Sequence, residues 1–72
     1  MKIEEMYVGQ PVHYIPFEGA TKAQFENGMV KELDTYDRKC VRVVYHCNDD
    51  WSRYKEYTSA LTYIKDLKIG WV

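Results

Sequence analysis

Cysteine and proline are both scarce in this 72-residue chain, at two residues each, and its four glycines stand far apart. Each shortage excludes something. Cys40 and Cys47 flank CVRVVYHC, which reads as one continuous strand. Their odd separation places them on opposite faces, and seven extended residues span about 23 Å, whereas a disulfide needs Cα atoms within about 7 Å. They do not staple each other. Gly9, Gly19, Gly28 and Gly70 are isolated, so the glycine-rich cradle of nucleotide triphosphate chemistry is missing. Apolar runs stop at two or three residues, far below the roughly 20 that a membrane helix needs. Ten basic against 11 acidic side chains leave a net charge of -1, which argues against a basic nucleic-acid clamp. The opening MKIEEMYVGQ carries acids where a secretory signal has a long apolar stretch, so the expected compartment is the cytosol.

What the chain has is rings. Hydrophobic residues make up 46% and aromatic residues 15%, with two Trp, seven Tyr and two Phe. A domain this small buries only about 60% of its unfolded surface, so it needs compensation. Each packed ring buries about 150 to 250 Å², and aromatics stand in here for disulfides. Neither linker nor repeat interrupts the sequence, and residues 1–72 read as a single domain.

Short strands follow one another between breaks. After an amphipathic start (Ile3, Met6, Tyr7), Gly9 permits a turn, and Pro11–Ile15 reads as an edge or strongly bent strand because Pro11 and Pro16 lack a ladder donor. An irregular loop of about eight residues follows. Asn27-Gly28 is a turn signal leading into Met29, Val30 and Leu33. A polar stretch over 34–39 then precedes the best strand, 40–47, and the order strand, turn, strand predicts an antiparallel hairpin. On that strand Val41, Val43, Tyr45 and Cys47 share the face expected to be core, with Cys40, Arg42, Val44 and His46 on the other. Asn48, Asp49 or Asp50 is placed to cap one short helical turn near 50–57, a brief strand is expected at 60–63, and a turn at 66–70. Leu67, Ile69 and Trp71 are expected to close the core. The pattern predicts an all-β fold, a small, strongly bent antiparallel barrel.

These residues resemble the small SH3-like barrels, the group that includes Tudor and KOW modules. The likeness is carried by Gly9-x-x-Val12-x-Tyr14, by Gly28-Met29-Val30-Lys31 with its hairpin partner Val41–Tyr45, and by Asp66-Leu67. The series Cys47, Trp51, Tyr54, Tyr57, Thr58, Asp66-Leu67, Gly70-Trp71 is also similar to short uncharacterised proteins of tailed bacteriophages and prophages. The resemblance runs from about Gly9 to Trp71 and implies a fold more than an activity.

Tyr45, Trp51, Tyr54 and Tyr57 form the most informative cluster, more ring than a core of this size readily hides. Exposed rings attract cations and stack flat groups, while Arg42, Arg53 and Lys55 suit a phosphate. Packing into the core is the competing reading. Cys40, Cys47, His46 and His13 lack metal-ligand spacing, so no metal is expected, and Cys47 with a histidine lacks the cleft that nucleophilic catalysis needs. Glu4-Glu5, Asp49-Asp50 and Asp34 with Asp37 read as solvated or capping acids. A basic stripe over Lys31, Arg38, Lys39, Arg42, Arg53 and Lys55 is interleaved with acids, which disfavours nucleic-acid backbone binding.

The expected function is a non-catalytic, cofactor-free binding module whose aromatic surface docks a protein partner or small planar ligand. The first alternative, by analogy with phage proteins, is a counter-defence protein sequestering a nucleotide signal, and the second is single-stranded nucleic-acid binding. The Pro-bearing first strand is compatible with a homo-oligomer.

Overall fold

The computed structural model describes residues 2–33, 38–45 and 50–72. It is all-β: five antiparallel strands in one sheet, with short 3₁₀ segments as the only helical structure among the described residues. The strands are β1 (Pro11–Tyr14), β2 (Glu26–Leu33), β3 (Cys40–Tyr45), β4 (Ala60–Tyr63) and β5 (Leu67–Ile69). Their order across the sheet is β4-β3-β2-β1-β5. The first four form a meander, and β5 returns to lie beside β1, with Tyr14 opposite Leu67 and Val12 opposite Ile69.

One connection dictates the shape. In a flat sheet the two edge strands, four spacings apart, would lie about 19 Å from each other. Yet β4 and β5 are joined by the 3₁₀ turn Ile64–Asp66 alone. Even fully extended, the four steps from Tyr63 to Leu67 reach no more than about 14 Å, and a 3₁₀ turn, at about 2 Å per residue, covers less. The sheet therefore curls until its edges approach. Among the described residues no ladder joins β4 to β5.

The hollow of that curl is filled by Val12, Val30, Val41, Val43, Ile64 and Leu67, with Met6 from the amino-terminal segment closing one side. Val41 and Val43 lie on the face that alternation assigns to the core. Val44, on the opposite face, is nevertheless 0% exposed, and Cys40 is buried as well. Strict inside-outside alternation along β3 therefore fails. Beside β3, strand β2 carries the 3₁₀ turn Trp51–Glu56 packed against it, and Lys31, the extra residue at the register shift between Val30 and Glu32, donates a hydrogen bond from Nζ to the Tyr57 carbonyl at 2.8 Å.

Three local expectations are corrected. Asn27-Gly28 is not a turn but lies within β2, opposite His13 and Val12. A Cβ on Gly28 would fall 2.5 Å from Val43 Cγ1 and 2.9 Å from the Tyr45 ring, so glycine is required by close packing. β1 is an interior strand, flanked by β2 and β5. Proline is tolerated there because Pro11 is the strand's first residue and Pro16 lies beyond its end. The segment 66–70 is mostly strand β5, and of Leu67, Ile69 and Trp71, all expected in the core, only Leu67 is buried. Ile69 is 60% and Trp71 43% exposed. The short helical turn and the strand at 60–63 lie where expected. Asp34, Asp37, His46, Cys47, Asn48 and Asp49 fall outside the described residues.

Candidate functional site

The residues expected to form one aromatic surface are divided between two places. Trp51, Tyr54 and Tyr57 belong to the 3₁₀ turn and its C-cap, and all three are half-buried, neither sealed inside nor free. The Trp51 ring lies against the Trp71 indole, with centroids 4.8 Å apart and planes inclined by 32°. Trp71 is itself pinned, its Nε1–H donating to the Gly28 carbonyl at 2.8 Å. Tyr54 lies over Gly9, whose added Cβ would meet the phenol oxygen at 3.2 Å, and the Lys55 ammonium rests 5.9 Å from the Tyr54 ring centre. These rings cover the sheet as much as they face solvent.

The basic residues expected to accompany them are not gathered into a phosphate clamp. Arg53 bonds Glu56 through Nε at 2.5 Å and faces Asp50 at 3.9 Å, so its charge is already answered on its own turn. Glu56 above all, with Tyr57 and Asp50, holds the Arg53 pKa above its ordinary value. Arg42 lies on β3 in register with Glu32 of β2 and Leu61 of β4, on a different element from the Trp51 turn.

Tyr45 belongs to the second place. It packs against the core cluster, and its ring meets Tyr14 edge-on with centroids 6.1 Å apart. The Tyr45 hydroxyl and Thr62 Oγ1 are 2.9 Å apart, and Thr62 Oγ1 donates to the Ala60 carbonyl at 3.2 Å. Because the Thr62 proton is used there, the Tyr45 O–H is the donor in the first bond. Around these groups opens a notch of about 290 Å³, lined by Tyr14, Tyr45 and Tyr63, by the carboxylates of Glu26 and Asp66, and by β4 from Ala60 to Thr62. Burial pushes the Tyr45 pKa up to about 12; the Thr62 hydroxyl, which can turn to donate to a phenolate, opposes the shift, and the charges of Glu26, Tyr14 and Asp66 add to it. The phenol therefore stays protonated near neutral pH.

Tyr45 is the one expected site residue in this notch. Tyr14, Tyr63, Glu26 and Asp66 were missed for a topological reason. Tyr14 and Tyr45 lie on strands that are not neighbours, and Asp66 comes from the turn that joins the two sheet edges. Register sets Glu26 opposite Tyr14 and Tyr45 opposite Gly28 on the strand between them, pairings that no local pattern in the sequence states. The available signal was parity: Tyr14 shares a strand face with Val12, as Tyr45 does with Val43.

A larger open groove of about 650 Å³ lies near the other end of β4, lined by Lys2, Ile3, Glu4, Arg38, Lys39, Tyr63, Ile64 and Lys65. Among the described residues no group of three or more His, Cys, Asp or Glu side chains could hold a metal ion, and no helix is long and apolar enough to cross a membrane. Compared with known proteins, the chain matches no family model, no curated protein and no solved structure.

Proposed function

We propose that this domain is a non-catalytic binding module, and that its tyrosine-lined notch receives the cationic side chain of a lysine or arginine on a protein partner. The observation that carries this reading is the meeting of three phenol rings and two carboxylates around one opening of about 290 Å³. Ring faces attract a cation by about 0.5 to 2 kcal/mol each, more as water is excluded. The two carboxylates supply the opposite charge. A volume of this size lies at the lower limit of ligand pockets, right for the head of one side chain.

Tyr45 supports a binding role over a chemical one. Its proton is donated to Thr62 and its pKa lies far above neutrality, so it is neither a ready base nor a nucleophile. The proposed fold family is the SH3-like barrel, a reading supported by the curled five-stranded sheet and the 3₁₀ link between its edges.

The test is an NMR titration with three short peptides that differ only in a central lysine, glutamine or glutamate. The lysine peptide is expected to shift resonances of Tyr14, Tyr45 and Tyr63, and Asp66→Asn to weaken it at least tenfold. Equal binding of the glutamine peptide, or shifts confined to Trp51 and Trp71, would overturn the reading.

A further inference from the structure

We propose that the partner meets this domain as an added strand: an extended segment pairs antiparallel with the open edge of β4, and its lysine or arginine turns from that strand into the tyrosine-lined notch. This deepens the cation reading of the notch and rests on it. The notch itself points to the edge. Ala60, Leu61, Thr62 and Tyr63, the whole of β4, line it, although successive side chains of a strand face opposite sides of the sheet. The free edge is the side of a strand that borders them all. On one side β4 pairs with β3, and among the described residues nothing pairs with it on the other. Register gives the direction of its backbone groups. The Ile64 N–H donates to the Lys39 carbonyl at 2.8 Å, and in an antiparallel ladder the hydrogen-bonded pairs recur at every second residue. The bonded pairs are thus Val41 with Thr62 and Val43 with Ala60, which leaves the N–H and C=O groups of Leu61 and Tyr63 turned away from β3. Both residues are more than half exposed, at 53% and 55%.

Strand edges are ordinarily blunted by a charge, a proline or a bulge. The other edge strand, β5, is only three residues long and carries Lys68 at its centre. β4 reads Ala-Leu-Thr-Tyr, with neither charge nor proline, and pairs with β3 in unbroken register. Its edge is left open to pairing. An added strand draws affinity from main-chain hydrogen bonds and specificity from the pockets that its alternate side chains enter. Here one register serves both. A partner residue opposite Thr62 shares the face on which the Thr62 hydroxyl lies 2.9 Å from that of Tyr45, so its side chain enters the notch, where the Asp66 carboxylate supplies the opposite charge. The residues before and after it exchange backbone bonds with Leu61 and Tyr63. Charge selects the occupant. The β4 of a second copy would bring no cation to the notch. The fitting segment belongs to another protein and is strand-forming and apolar on either side of one lysine or arginine.

The experiment compares three probes by NMR: a short peptide with a central lysine, the same peptide with backbone N-methyl groups on the two residues flanking that lysine, and Nα-acetyl-lysine methylamide. The plain peptide is expected to bind at least tenfold tighter than the blocked lysine. It is also expected to slow hydrogen exchange at the Leu61 and Tyr63 amides at least tenfold, and to change the Ala60 and Thr62 amides, already paired with β3, far less. Methyl groups on the flanking residues are expected to bring the affinity down to that of the blocked lysine. One on the lysine itself, whose N–H faces away from β4, is expected to leave it unchanged. In the protein, Leu61→Pro removes an outward N–H and no ladder bond to β3. It is expected to weaken the peptide at least tenfold and to leave the blocked lysine as it was. Should that variant fail to fold, the methylated peptides decide alone. Equal affinity of the plain and flank-methylated peptides, or unslowed exchange at Leu61 and Tyr63, would overturn the added strand and leave the notch standing. Slow exchange there without peptide, rising with protein concentration, would overturn it in favour of a second copy. Failure of the cation reading looks different: a glutamine-centred peptide would then slow the same amides as much as the lysine peptide does.

Discussion

Tyr45 shows how much one side chain does in a domain of this size. Its ring fills the space that Gly28, directly opposite in register, leaves open. Its edge meets Tyr14, and its hydroxyl begins the hydrogen-bonded chain to Thr62 and Ala60. The raised pKa has a consequence for stability. In the unfolded chain the phenol titrates at its ordinary value of 10.0, and in the folded protein at about 12. Folding thus favours the protonated form. The corresponding stabilisation is whole below pH 10 and is lost as pH rises from 10 through about 12. Denaturant melts of the parent and of Tyr45→Phe are expected to differ by an amount that shrinks over that window. A phenolate absorbance titration of the parent is expected to show one late step that the variant lacks. A gap that grows with pH would contradict the assignment.

At the scale of elements, the carboxyl-terminal segment and the turn 51–56 hold each other in place. Asn27 acts as a side-chain bridge: its Nδ2–H donates to the Val72 carbonyl at 3.0 Å, and its Oδ1 accepts from the Val72 N–H at 2.9 Å. Next to it the Gly28 carbonyl receives the Trp71 indole, which then meets Trp51. Asn27→Ala is expected to cost only about 1 kcal/mol, since both bonds are exposed. It is also expected to free Trp71, seen as loss of near-ultraviolet circular dichroism from the indole pair and a red shift of tryptophan emission, with the far-ultraviolet spectrum retained. Unchanged near-ultraviolet ellipticity would show that the indoles pair without the asparagine. The same two residues mark the limit of what was legible. Asn-Gly is a strong hairpin signal when judged by neighbours in sequence, but here glycine answers to Val43 and Tyr45 across the sheet, and asparagine to Val72. Short β-rich runs between Gly, Pro and Asx breaks located β3, β4 and the all-β class because such runs are a local property. The notch and the larger groove depend on register and on contacts between distant segments, for which local pattern holds no record.

For the whole molecule, the composition of the core sets the margin. The largest fully buried side chains are Val12, Val30, Val41, Val43 and Val44. Larger aliphatics contribute less than their number allows, because Leu61 and Ile69 are exposed on the two edge strands. A chain of this length retains about 4 to 11 kcal/mol of net stability by the usual per-residue range. A core of small, stiff side chains belongs toward the lower part of it. Val43 is fully buried on the inner side of the sheet and packs close against Gly28. Val43→Ala is therefore expected to remove about 1 to 3 kcal/mol, a large share of the total, and to lower the midpoint by about 5 to 20 °C in a domain of this size. Ile69→Ala deletes a larger side chain but an exposed one, and is expected to stay within about 0.5 kcal/mol of the parent. Thermal or urea melts of the two variants decide the matter. Equal losses would mean that the open edge of β5 is covered in solution, by a second copy or a partner, in which case the loss at Ile69 should vary with protein concentration.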